Sequence, residues 1–143
     1  MTMPFGVMAI RFLPRPATSP LMSLPIALTS SITLLIIILS GLDQKGKMIV
    51  GLNFAKNVSR KKLAEDVKLV FFGPSEEALA KHDPDVDSLI KMLTDLNVIQ
   101  IACSGYAAAK NVTEDIAKIG MKLEDVSDTI TRFADQGYRI ITF

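Results

Sequence analysis

Residues 98–112 read VIQIACSGYAAAKNV, and this stretch decides the fold class. Val98 to Ala102 is a β-rich run, and Cys103 stands where it stops. Ser104 and Gly105 follow, then Tyr106, three alanines and Lys110. Alanine is the strongest helix former, and Ser-Gly ahead of such a run reads as a helix start. The pattern is strand, cysteine, helix. It puts Cys103 at the carboxyl end of a strand and the amino end of a helix, where α/β proteins often carry out their chemistry.

Working outward, the same alternation continues in both directions. Ile32 to Ser40 is an isoleucine-rich strand, and Gly41 to Gly46 (GLDQKG) is a turn-rich loop. Lys47 to Asn57 places Met48, Leu52 and Ala55 at helical spacing, and Arg60 to Glu65 continues or repeats a helical turn. Val67 to Phe72 is a second strand, closed by Gly73-Pro74. Ser75-Glu76-Glu77 then starts a helix with acids in its first turn, where they complement the helix dipole. That helix runs to about Lys81 and breaks at His82-Asp83-Pro84. Asp87 to Leu96 is amphipathic, with Leu89, Ile90, Leu93 and Leu96 on one face. Beyond Val112, a short helix starts at Thr113 and ends at Gly120. Leu123 to Val126 is a short strand, Ser127 to Gln136 a helix, and Tyr138 to Phe143 the last strand. This spacing implies βαβ units with right-handed crossovers and a mostly parallel sheet of about five strands covered on both faces.

The chain has 143 residues, enough for one domain with its own core. Sixteen basic and fifteen acidic residues leave a formal net charge of +1, so no field of one sign argues for nucleic acid. One cysteine excludes an internal disulfide, and with one histidine it excludes a Cys/His zinc site within one chain. No metal or cofactor is expected, and the prior is a cytoplasmic globular protein. The first third is different. Five prolines fall in residues 4–25, so residues 1–31 read as an irregular extension ahead of a domain over 32–143. From Pro16 to Leu42 there is no charge, a length that matches the roughly 20 apolar residues of a membrane span. Pro20, Pro25 and Thr29-Ser30-Ser31 interrupt it, and the continuously apolar Leu34 to Leu39 suits a buried parallel strand better.

Cys103 is the first candidate for chemistry. A free cysteine is often only a small buried hydrophobe. Against that, a helix amino end favours an anion by about 0.3–1 kcal/mol, and up to ~2 when partly buried. That is enough to bring a thiol from ~8.5 to ~7–8 and make it a nucleophile near neutrality. With no second cysteine, any sulfur chemistry must be completed by another molecule. Gly41 to Met48 matches the phosphate-cradling spacing G-x-x-x-x-G-K, but Met48 stands where Ser or Thr would meet magnesium, and Asp43 adds a negative charge. A strand-to-helix turn built on Gly41 and Gly46 explains it better. Tyr106 lies one turn from Cys103, to line a pocket or merely to pack. His82 reads as a solvated loop residue and Lys110 as surface charge.

The blocks LLIIILSGLDQKGKMIVGLNFAKN, VKLVFFGPSE, VIQIACSGYAAAKNV and SDTITRFADQGYRIITF together resemble the DsrE/DsrF-like family over about residues 32–143. The resemblance rests on the order of the blocks, the cysteine ending the third strand, and the closing helix-Gly-Tyr-strand. It implies a flavodoxin-like three-layer α/β/α domain that assembles as trimers or hexamers. It also implies sulfur relay, in which Cys103 carries a persulfide between a donor and an acceptor protein. The backbone N–H groups of Ser104, Gly105 and Tyr106 would support the anionic sulfur, with Gly41, Asp43 and Gly46 in the neighbouring loop. The alternative is a non-catalytic oligomeric module of the same fold with a structural cysteine.

Overall fold

The computed structural model describes residues 31–143. The extension read into residues 1–31 therefore lies, apart from Ser31, outside the described residues. Five strands and six helices alternate: β1 (Thr33–Ile38), α1 (Lys45–Arg60), β2 (Asp66–Phe71), α2 (Pro74–Ala80), α3 (Pro84–Asp95), β3 (Ile99–Cys103), α4 (Ser104–Ala109), α5 (Thr113–Ile119), β4 (Lys122–Glu124), α6 (Val126–Asp135) and β5 (Arg139–Thr142). The strands form one sheet in the order β4-β3-β2-β1-β5, parallel throughout. This is the three-layer, flavodoxin-like architecture expected.

Topology dictates how the layers fill. From β1 to β4 the chain steps across the sheet in one direction, and right-handed crossovers then put every intervening helix on the same face. The last crossover returns from β4 past three strands to β5, and the same handedness sends α6 to the opposite face. The cores follow this division. Leu34, Ile36, Ile38, Leu69 and Phe71 pack with buried residues of α1 to α5. Leu35, Ile37, Val70, Ile101 and Cys103 pack with Val126 and Phe133 of α6. Among the described residues, one ten-residue helix packs on the second face. Ile140 of β5, Leu39 and Phe72 are exposed, the last two just past the carboxyl ends of β1 and β2 on the alternation that points toward α6.

Element ends moved where caps decide them. Asp83 caps α3 by accepting from the N–H groups of Asp85 and Val86, and Pro84 occupies its first turn, so His82-Asp83-Pro84 both stops one helix and starts the next. The helix therefore begins at Pro84 and not Asp87. A 3-10 turn over Leu42–Gln44 leads into α1 at Lys45, which places Gly46 inside the helix and not in the loop. Lys45 bonds Asp83 at 2.9 Å and Asp85 at 2.8 Å, tying the start of α1 to the start of α3. Among the described residues, no helix is long and apolar enough to cross a membrane.

Candidate functional site

The loops leaving β1, β2 and β3 stand side by side at the carboxyl edge of the sheet, as adjacent parallel strands require. Cys103 ends β3 and is the N-cap of α4, its Sγ accepting the N–H of Tyr106 at 3.5 Å. Its side chain is 9% exposed and faces the α6 core. Ser104 is half-buried and Gly105 exposed. A Cβ on Gly105 would meet nothing within 4 Å, so that glycine is not demanded by a close neighbour.

Tyr106 links this junction to α2, the helix after β2. Its hydroxyl donates to Glu77 Oε1 at 2.6 Å, and Lys110 Nζ lies 5.7 Å from its ring centre. The hydrogen bond to Glu77, with burial, pushes the phenol up to about 12. Glu77 lines a shallow pocket of about 250 Å³ together with Gly41, Asp43, Pro74 and Lys81. Gly41 is required here, because a Cβ would come within 2.8 Å of the Pro74 carbonyl oxygen. The site residues read from the sequence therefore gather at one edge, Gly46 among them in the first turn of α1. A Cβ there meets nothing within 4 Å, so Gly46 does not serve a close approach between loops. Met48 is fully buried in the core, which is why no hydroxyl stands at that helix start. His82 is exposed, with Nδ1 3.3 Å from Asp87 Oδ2. No group of three or more His, Cys, Asp or Glu side chains able to hold a metal ion occurs among the described residues.

One residue at this edge was missed. Glu76 is fully buried, and its Oε2 accepts the Gly73 N–H at 3.3 Å. The other carboxylate oxygen has no partner. Burial pushes its carboxyl from 4.5 up to about 7, against the hydrogen bond from the Gly73 N–H. The acid pair at 76–77 was read as a dipole partner at a helix start, which describes Glu77. Spacing held the missing signal: Glu76 lies three residues before the fully buried Leu79 and so shares its inward face.

No family model matches the chain, and no curated protein matches it. Among solved structures it is similar to BT1422 of Bacteroides thetaiotaomicron, described as a conserved protein of unknown function. The TM-score is 0.67 at 18% identity, covering 76% of this chain and 94% of that one. It is also similar to the YchN protein of E. coli, with a TM-score of 0.63 at 12% identity, covering 78% of this chain and all of that one. At these identities the likeness is one of fold: this chain builds the same α/β architecture over nearly the whole length of both proteins.

Proposed function

We propose that the chain is a sulfur carrier in which Cys103 accepts sulfane sulfur as a persulfide and passes it to a partner protein. The Cys103 thiolate attacks the sulfane sulfur of a donor persulfide or polysulfide; a new S–S bond forms while the donor's S–S bond breaks and its thiolate leaves. An acceptor thiolate then attacks the outer sulfur, and the Cys103 thiolate leaves in turn. No net oxidation occurs. The observation that carries this reading is the placement of Cys103 at the β3–α4 junction, with its sulfur aligned on the Tyr106 N–H. The resemblance of the sequence blocks to the DsrE/DsrF-like family, and the fold shared with YchN, support it. The same resemblance implies a homo-oligomer, and the exposed Leu39, Phe72 and Ile140 supply apolar surface for contact with other chains.

A second reading has its own observation. Cys103 packs among Val70, Ile101, Val126 and Phe133, as a structural cysteine in a non-catalytic module would. Mass spectrometry after incubation with polysulfide separates the two. The carrier gains one sulfur atom on Cys103, reversibly by added thiol, and Cys103→Ser gains none. Native protein that gains nothing, with a thiol that labels only after denaturation, refutes the carrier.

A further inference from the structure

The sulfur-relay reading uses the carboxyl edge of the sheet and leaves a cleft at the amino edge unused. Between α3 and α5, a cavity of about 250 Å³ opens over the start of β3. A second, of about 350 Å³, continues it along the two helices, and both are lined by Ile90, Thr94 and Ile119. Together they fall within the range of small-molecule sites, about 300–1,000 Å³. Gln100 lines the inner cavity. On β3 the side chains of Ile101 and Cys103 join the α6 core, so alternation turns Gln100 to the other face, beneath α3 and α5. The cleft is therefore separate from the thiol.

Gln100 is the residue that packing alone does not explain. It is 8% exposed, at a position in a parallel strand where apolar residues are the rule. Its neighbour fixes the orientation of its amide. Thr94 Oγ1 donates its one proton to the Ile90 carbonyl at 3.0 Å, so it can only accept from Gln100 Nε2, at 2.9 Å. Gln100 Oε1 is left as a buried acceptor with no hydrogen-bond partner among the described residues. A leucine would fill the same place without that cost. The terminal torsion of a glutamine is soft, so a small turn of the amide presents Oε1 to the cleft. The walls are apolar, with Ile90, Ile119 and Met121, and the rim is cationic. Lys91, Lys118 and Lys122 stand there exposed, and no ion pair within 4.0 Å holds any of them among the described residues. Asp87 is the one acid lining the cleft, and its Oδ2 lies 3.3 Å from His82 Nδ1. Each part specifies part of a ligand: the walls take a flat ring, the orphan acceptor an O–H or N–H, and the lysines an anion. We propose that the cleft binds a small aromatic acid that carries a hydrogen-bond donor at the end opposite its acid group. The donor meets Gln100 Oε1 and the acid lies among the lysines.

The test is an amide NMR titration of the full chain with para-hydroxyphenylacetate, which carries both groups. Saturable shifts are expected at Ile90, Ile119 and Met121 and at the Gln100 side-chain amide. Two analogues separate the contributions. Para-methoxyphenylacetate lacks the donor and para-hydroxyphenylacetamide lacks the charge, and each should bind about tenfold more weakly. Gln100→Leu should weaken the hydroxyl probe by about the same factor and leave the methoxy probe unchanged. Equal affinities for all three probes in wild type mean apolar adsorption and overturn the proposal, a result readable even if the variant does not fold. So does a titration that never saturates, or one whose shifts fall outside the cleft. Cleft shifts that follow protein concentration without any probe place a second copy of the chain there, and they overturn the proposal as well.

Discussion

The burial of Glu76 has a consequence for stability that Glu76→Gln exposes. In the unfolded chain a glutamate titrates near 4.5, and in the folded protein burial brings this one to about 7. The folded state therefore binds the proton more tightly, and stability falls as pH rises through the interval between the two values. Below pH 4.5 both states are protonated and the deficit is absent; above about 7 it is complete. At ~1.4 kcal/mol per unit the interval corresponds to about 3 kcal/mol, a large part of the 5–15 kcal/mol that holds a domain of this size. Glutamine keeps the shape and can still accept the Gly73 N–H, but it cannot ionise. Its NH2 would replace the partnerless oxygen and leave a buried donor unmet, which costs about 1–3 kcal/mol at every pH. The constant term cancels when the difference between variant and wild type is followed against pH. Urea unfolding at pH 5, 7 and 8.5 should show wild type losing about 2.5 kcal/mol relative to the variant across that range, the remainder of the deficit having set in below pH 5. Stability curves that stay parallel from pH 5 to 8.5 refute a buried acid at this position.

Gly41→Ala should lose about 1–3 kcal/mol, because the new Cβ would lie 2.8 Å from the Pro74 carbonyl oxygen, whereas Gly46→Ala should be neutral or gain up to ~1 kcal/mol in its open helical position; urea midpoints of the pair check the contrast. Leu35→Ala, in the fully buried centre of the α6 side, should lose about 2–5 kcal/mol by the same measurement. Tyr138→Phe removes the hydroxyl that donates to Asp66, beside Lys68 at 2.8 Å. Burial alone would raise the Asp66 carboxyl, but the hydrogen bonds from Lys68 and Tyr138 outweigh it and hold it below its usual range. The stability this contributes is present above about pH 4 and lost as pH falls through the lowered value, so the variant should lose about 1 kcal/mol at neutral pH and progressively less below pH 4. An equal difference at pH 7 and pH 2.5 would contradict that account.

The alternation of strand and helix was legible because each element carries its own local signal. The isoleucines of β1, the helical spacing of Met48, Leu52 and Ala55, and Gly120 at a left-handed cap with φ 92° all state their roles within a few residues. The position of Cys103 was legible for the same reason, since strand, thiol and helix are contiguous. Local signals also misplaced α3, because Asp83-Pro84 is at once a break and a cap. What no local signal contains is which helix packs on which face. That depends on strand order, and β5 pairs with β1 across more than a hundred residues of chain. Glu76 escaped for a related reason. Its neighbours Ser75 and Glu77 mark a solvated helix start, while its burial depends on where α2 docks against the end of β1, with Ser75 Oγ donating to the Ile38 carbonyl at 2.6 Å.

Strand order also sets what surrounds Cys103. A residue at the end of a strand sends its side chain to one face, while its backbone N–H lies in the plane of the sheet, open to whatever closes the edge. For Cys103 the side chain goes to the α6 face, among Val126 and Phe133, while the helix α2 that follows the neighbouring strand β2 packs on the opposite face. The sulfur's N–H donor comes from Tyr106, and the Tyr106 hydroxyl leads back to Glu77, the residue after Glu76. α2 is thus tied to α4, the helix that Cys103 caps, through the tyrosine. Weakening that tie should let the thiol move against α6 without breaking the sheet. Tyr106→Phe should therefore change the labelling rate of Cys103 at unchanged urea m-value. A rate equal to wild type would show that the Tyr106 hydroxyl does not set the position of the sulfur.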